Sequence, residues 1–241
     1  MPAKITKTSD ISLSGYFKKV FLTMAAAVGI TALTIYLSLT SLAQVVWPMI
    51  LNNTGTGFST LYYILVFGGL GMIIFAQARL FSMSKMAALA FLFAYSVIMG
   101  ITMMPLIMSA LSIDPALIFR AFFLAALMLA SMAMFGYRTE KDLSFLRVFL
   151  LAGMIGLILV GISSIFFPFG APFAMAVSAI GVLVFALFTA YDMQALKRIF
   201  GANGLSPEDA DKFVVMGAIH MYISFIAMFQ YLLNLMSLSR N

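Results

Sequence analysis

The sequence predicts an all-α membrane protein that crosses the bilayer seven times, with the N-terminus inside and the C-terminus outside. Hydrophobic residues make up 63% of the 241 and charged residues only 9%, where a soluble domain carries about one quarter charged. Crossing about 30 Å of hydrocarbon at about 1.5 Å per residue takes roughly 20 mostly apolar residues, and seven stretches meet that length. The basic residues between them fall almost wholly on one side. Lys4, Lys7, Lys18, Lys19, Arg79, Lys85, Arg138, Lys141, Arg147, Lys197, Arg198 and Lys212 share the N-terminal side, and only Arg120 and Arg240 oppose them. That asymmetry places the N-terminus in the cytoplasm and supports an odd number of spans.

Taken in order, the spans are expected over 20–46, 58–78, 86–111, 116–135, 145–165, 172–194 and 213–236. A cytoplasmic tail over 1–19 precedes this seven-helix unit, and a C-terminal tail over 237–241 follows it. The first apolar run follows basic residues as a signal peptide's does, but about 27 residues is too long for a cleavable core, so it reads as a retained helix. Connectors carry Gly or Pro at 52–57, 114–115, 136–144, 168–172 and 201–207. Ser206-Pro207-Glu208-Asp209 reads as a cap, a proline in the first turn and acids at the positive end of helix seven. Asp114-Pro115 is expected to start helix four, and Thr139 with Asp142 to form a capping box before helix five. Trp47 and Phe166, Phe167 and Phe169 suit the outer interface, Tyr16 and Tyr137 the inner one.

Enzyme chemistry finds no constellation. One histidine, His220, and no cysteine leave no zinc cluster and no Cys-His nucleophile pair. No serine sits in a nucleophile elbow. The twenty methionines fill irregular helix contacts, and Gly68-Gly69-x-Gly71 lies within a span, where small residues permit close packing. No cofactor is expected and no nucleic-acid partner; the basic loops face anionic lipid headgroups.

What remains is polar groups at membrane depth. Asp192 ends helix six within Phe188-Thr189-Ala190-Tyr191-Asp192-Met193-Gln194. An ionised side chain at the bilayer centre costs about 2.5 to 3.5 kcal/mol, so such residues mark pathways, proton sites or ion pairs. Arg79, ending helix two on the same side, is the expected partner; a lock to Arg79 or Arg198 at the inner face is the plainer alternative. On helix seven, His220, Ser224, Ala227, Tyr231 and Asn234 recur at three- and four-residue spacing, a polar stripe expected to face the bundle. An imidazole's ordinary pKa near 6.5 makes His220 a candidate titrating partner for Asp192. The alternative is a neutral His220 bonded to a backbone carbonyl or to Ser224.

Tyr16-Phe17-x-Lys19-Val20, the Lys141-Asp142-Leu143-Ser144-Phe145-Leu146 loop, Thr189-Ala190-Tyr191-Asp192-x-Gln194 and Tyr222-x-x-Phe225-Ile226 together resemble the Bax inhibitor family, also called the transmembrane Bax-inhibitor-motif family. The similarity runs from about residue 16 to 236. It implies a seven-helix bundle with helix seven at the centre and a pH-sensitive calcium leak, calcium being the transported ion. In leak-competent members a helix-six aspartate shares a proton with a helix-seven aspartate. Asp192 matches the first position, Ser224 replaces the second, Ala227 replaces a common asparagine and Asn234 a frequent basic residue. Arg79 lies near the family arginine that pairs with the helix-six acid. Relatives are also linked to suppression of cell death and to a membrane-bound AAA protease. Two readings follow: a cation or calcium leak gated around Asp192, or a non-conducting regulator that binds another membrane protein. The expected location is a bacterial cytoplasmic membrane, with an organelle membrane as the alternative.

Overall fold

The computed structural model describes residues 13–52, 54, 57–79, 83–167, 169–201 and 207–240, with the backbone alone for 75–79, 201, 207 and 208. The described chain is helical: α1 (Leu13–Leu39), α2 (Ala43–Ile50), α3 (Thr60–Arg79), α4 (Lys85–Thr102), α5 (Met104–Ile113), α6 (Ala116–Arg138), α7 (Leu146–Phe166), α8 (Ala171–Gly201) and α9 (Pro207–Leu238). Its extended pairing, among the described residues, is one isolated bridge between Leu51 and Phe58. Six helices, α1, α4, α6, α7, α8 and α9, are long and apolar enough to cross a membrane, and α3 adds a shorter apolar stretch, Thr60–Ile74.

Two expected spans are broken, each for a local reason. The first stops at Leu39. Thr40 Oγ1 donates to the Tyr36 carbonyl at 2.8 Å, and the Leu42 N–H reaches back to the Leu37 carbonyl at 2.8 Å. Hydroxyl side chains that bond backwards compete with the helix ladder, and the chain turns into α2. The third breaks between α4 and α5 because Pro105 has no N–H for the Ile101 carbonyl. Met103 forms the joint, and proline takes its favoured place in the first turn of α5. Elsewhere the helices overrun their expected limits: α1 begins at Leu13 within the expected tail, α8 continues to Gly201 and α9 to Leu238.

Helix α9 is the hub. It is buried along most of its length while less than two fifths of each other candidate span is buried, and it packs against α1, α4, α5, α6 and α8. Apolar side chains on both sides of it (Val215, Ile219, Tyr222, Phe225, Leu233) lie in one core with Val20, Leu92, Leu117 and Leu129 of the surrounding helices. A helix apolar all round belongs inside other helices. Outward-facing Leu22, Ile64, Phe119, Val148 and Phe149 are more than half exposed, the surface lipid covers.

Close approach is set by small residues, though not by those the sequence singled out. Gly68 and Gly71 face open space, and Gly69 alone meets α4. The tight contact is instead at Gly136 of α6, where a Cβ would lie 2.1 Å from the Ala190 carbonyl oxygen of α8. Gly181 of α8 serves α9 similarly, lying flat against the Tyr231 ring.

The helix ends sort the charges. Asp211 of α9 binds Lys19 of α1 at 3.1 Å and Lys85 of α4 at 2.6 Å, so those three helices begin at one end. The opposite end holds Asp114, bonded to Arg240 at 2.6 Å and 3.9 Å from Arg120. Asp114 also accepts the Ala116 N–H at 2.9 Å, the expected helix start. That backbone bond, with Arg240 and Arg120 behind it, holds the Asp114 carboxyl below the usual carboxylate range. The expected capping box is not formed. Thr139 closes α6, and α7 starts only at Leu146 without a side-chain cap. Asp142 instead accepts the Ser144 N–H at 3.0 Å and binds Arg198, drawing the loop toward α8. Tyr16 is no interface anchor: it is buried and donates to the Phe213 carbonyl at 3.2 Å. Tyr137 is likewise spoken for, with the Phe17 ring at 5.5 Å and Lys197 Nζ 5.1 Å above its own. The cap read at 206–209 falls partly outside the described residues; α9 begins at Pro207.

Candidate functional site: a buried acid and a histidine on a cavity wall

Helix α8 carries Asp192 on the face it turns to α9, beside buried Thr189, Ala190 and Met193. One turn before Ser224, α9 presents His220. The His220 Nδ1 lies 3.4 Å from the Asp192 Oδ2, with the aspartate side chain 12% exposed. A buried acid needs a compensating partner, and α9 supplies it.

The pair lines a cavity of about 350 Å³, with Arg147 of α7, Tyr191 of α8, and Phe213 and Ser224 of α9 also on its wall. A second cavity of about 360 Å³ lies nearer the Asp114 end, bounded by α3, α4, α7 and α9, with Tyr62, Thr102, Gly161, Gln230 and Tyr231 among its lining. The two share four residues: Ile73 of α3, Met154 of α7, Phe185 of α8 and Ile223 of α9. One apolar side chain from each of four helices therefore forms a collar between two cavities stacked along α9.

The expected partner of Asp192, Arg79, has its side chain outside the described residues, so that pair lies outside them too. The alternative, Arg198, is committed elsewhere. It binds Asp142, Ser144 Oγ at 3.0 Å and Gln194. Ser224 is buried on the lower cavity wall. Tyr231 and Asn234 turn to α8: Tyr231 stacks on Phe185 at 6.1 Å, and Asn234 Nδ2 donates to Ser178 Oγ at 2.9 Å. The stripe on α9 thus divides between the two cavities, His220 and Ser224 lining the lower one and Ala227 and Tyr231 the upper, with Asn234 beyond them bonded to α8.

Sequence reasoning missed three groups. Gln194 is buried and holds the α6–α7 loop by both ends of its amide, accepting the Leu143 N–H at 2.9 Å and donating to the Lys141 carbonyl at 2.8 Å. Its place in the helix-six motif was the available signal. Thr31 of α1 joins Tyr222 of α9 at 2.7 Å and the Ser96 carbonyl of α4 at 3.1 Å, a polar knot whose members are scattered over the chain. Arg147 was counted only as a charge. In the loop, Asp142 is held down at about 2, first by the Ser144 N–H, then by the Ser144 hydroxyl and Arg198. Among the described residues, no group of three His, Asp or Glu side chains gathers to hold a metal ion.

Comparison with known proteins agrees with the architecture. The family model for the inhibitor of apoptosis-promoting Bax1 matches residues 13–241. The chain belongs to this Bax inhibitor-like family. A protein of Rickettsia prowazekii strain Madrid E is 30% identical over 235 residues, covering 98% of this chain and 94% of the relative. A protein named as a membrane protein in Streptococcus pyogenes serotype M1 is 27% identical over 228 residues, 94% of each chain. A Caulobacter vibrioides protein is 40% identical over 116 residues, 47% of this chain and 45% of its own. With its apolar helices and these relatives, this Bax inhibitor-like chain is a multi-pass bacterial membrane protein.

Proposed function

We infer that the protein is a regulated leak pathway for cations, calcium among them, closed at the apolar collar and governed by the Asp192–His220 contact. The observation that carries this reading is the placement of that pair on the wall of a cavity that shares four lining side chains with a second one. Hydrophobic constrictions close pathways by shedding water, and carboxylates attract cations into them. An imidazole ordinarily titrates near 6.5, and His220 in its protonated form attracts the Asp192 carboxylate. That contact is strongest at low pH and weakens as the proton leaves, so flux rises with pH. Arg147, Tyr191 and Ser224 are the other polar side chains of the described residues on the same wall.

The pathway has seven crossings in this reading. Lys19 and Lys85 meet the same Asp211, so α1 and α4 start at one end, and the chain returns between them by α3. At 20 residues, α3 is about 30 Å long. The cation-rich end is cytoplasmic by the positive-inside rule. No catalytic role or bound cofactor is part of this reading.

Purified protein in calcium-free liposomes, with calcium added outside and a dye within, tests it at pH 6 and pH 8. Uptake greater at pH 8 supports the pathway; uptake equal to empty liposomes at both values overturns it. That second result favours a non-conducting regulator of another membrane protein, a reading supported by Ser224, which leaves one carboxylate where a shared proton needs two.

A further inference from the structure

Both cavities have lining residues that are part-exposed at the protein surface. Helix α3 packs on α2 and α4, and α7 packs on α8, leaving a cleft between α3 and α7 along which both cavities lie. Leu151 in the lower part, and Phe67 and Ile165 in the upper part, line these cavities while remaining between a third and a half exposed. Above the Asp192–His220 pair the α7 side of the lining is apolar, from Met154 to Leu157, Ile158 and Ile162.

The mouth of the cleft carries an uncommitted cation. Arg147 lines the lower cavity, is exposed, and takes no part in the six ion pairs among the described residues. Asp192, the acid in that cavity, faces His220; of the two acids of the adjoining loop, Asp142 faces Arg198 and Glu140 takes part in none of those ion pairs. Arg147 is the second residue of α7, whose N-terminus has no side-chain cap, so the positive end of the helix adds to its charge. Its neighbours Phe145, Val148 and Phe149 are at least 63% exposed, which sets the guanidinium at the boundary between apolar surface and water. An arginine in that position meets phosphate by a two-pronged contact.

We propose that the α3–α7 cleft is a binding site for one anionic phospholipid of the cytoplasmic leaflet, its phosphate on Arg147 and an acyl chain laid past Leu151 toward the collar. One leaflet's hydrocarbon is about 15 Å deep, the rise of about ten helical residues. A chain anchored at Arg147 therefore reaches the level of Leu157, past Met154 of the collar. The site does not rest on the leak reading: its failure leaves flux untouched, and absence of flux leaves the site standing.

Delipidated protein in detergent, titrated with dioleoyl phosphatidylglycerol or dioleoyl phosphatidylcholine and followed by native mass spectrometry, tests the site. The first phosphatidylglycerol binds about fivefold tighter than phosphatidylcholine, the affinity equivalent of the ~1 kcal/mol carried by one basic residue at a lipid surface. Arg147→Gln removes the preference while Arg147→Lys keeps most of it. Leu151→Trp, at a part-exposed position, fills the cleft and weakens both lipids. Inorganic phosphate at millimolar concentration displaces neither. Equal binding of the two lipids by the unaltered protein, an unchanged preference in Arg147→Gln, or displacement by inorganic phosphate overturns the proposal. The first and last of these need no variant, so a misfolded substitution does not shelter it.

Discussion

His220 Nδ1 lies 3.4 Å from Asp192 Oδ2, joining the last turns of α8 to the middle of α9 on the wall of the lower cavity. Helices α8 and α9, which pack against one another, thus meet at a contact between an acid and an imidazole. The prediction is specific to the imidazole. His220→Gln keeps a hydrogen-bonding side chain of similar reach and removes the proton. Calcium uptake by liposomes carrying this variant is therefore the same at pH 6 and pH 8. A pH dependence that survives the substitution intact removes the histidine from the gate.

Asp192→Asn separates charge from shape at the same contact. The amide still bonds to His220 but no longer attracts a protonated imidazole, so the inner closure loosens and uptake at pH 6 rises toward the pH 8 level. Cysteine pairs placed on α8 and α9 near the cavity cross-link less readily in this variant at pH 6. Unchanged uptake and cross-linking assign Asp192 to packing alone.

Gly136 gives a stability prediction independent of any transport. A Cβ at this position would lie 2.1 Å from the Ala190 carbonyl oxygen, and backbone has no rotamer by which to yield. Gly136→Ala forces α6 from α8 and costs about 1 to 3 kcal/mol, the range of overpacked cores. Gly156→Ala on α7, where an added Cβ meets nothing within 4 Å, is the control. Thermal unfolding in detergent shows a lowered midpoint for the first and little change for the second; equal midpoints refute the contact.

How far the fold was legible depended on which forces were local. Span positions came from runs of apolar residues, and the hub position of α9 from a stripe of His220, Ser224 and Tyr231 that lipid does not suit. Breaks at Thr40 and Met103 were less visible, since hydrophobicity runs straight through them and only hydroxyl back-bonding and Pro105 mark them. The α6–α7 loop was misread because Thr139 and Asp142 have capping spacing in sequence, while the residues that claim the loop, Gln194 and Arg198, are more than 50 positions away. Of the site, Asp192 and His220 were readable as polar groups at similar depth. The collar was not, since Ile73, Met154, Phe185 and Ile223 are ordinary apolar residues until four helices bring them together.

Asp142 carries a pH prediction at the cation-rich end. Its carboxyl is held at about 2, first by the Ser144 N–H, below the ordinary value near 4. A depressed carboxyl contributes stability that is complete above the ordinary value and lost as pH falls through the depressed one. Asp142→Asn therefore unfolds at a lower temperature than the unaltered protein at neutral pH. The gap between them closes from about pH 4 down to about pH 2. A gap that stays constant through that window assigns the loss to packing rather than to the charge.

The crossing count is tested by labelling, since the chain has no cysteine of its own. Thr54 lies between α2 and α3, Ser84 between α3 and α4, and Glu140 between α6 and α7. If α3 crosses the membrane, Thr54 and Ser84 sit on opposite faces; Lys85, the next residue, already shares Asp211 with Lys19. Single cysteines at the three positions, treated in intact cells with a membrane-impermeant maleimide, label at Thr54 alone. Permeabilised cells label at all three. Thr54 and Ser84 reacting from the same face reduces α3 to a helix lying within one leaflet and the protein to six crossings, and Glu140 labelling from outside reverses the orientation.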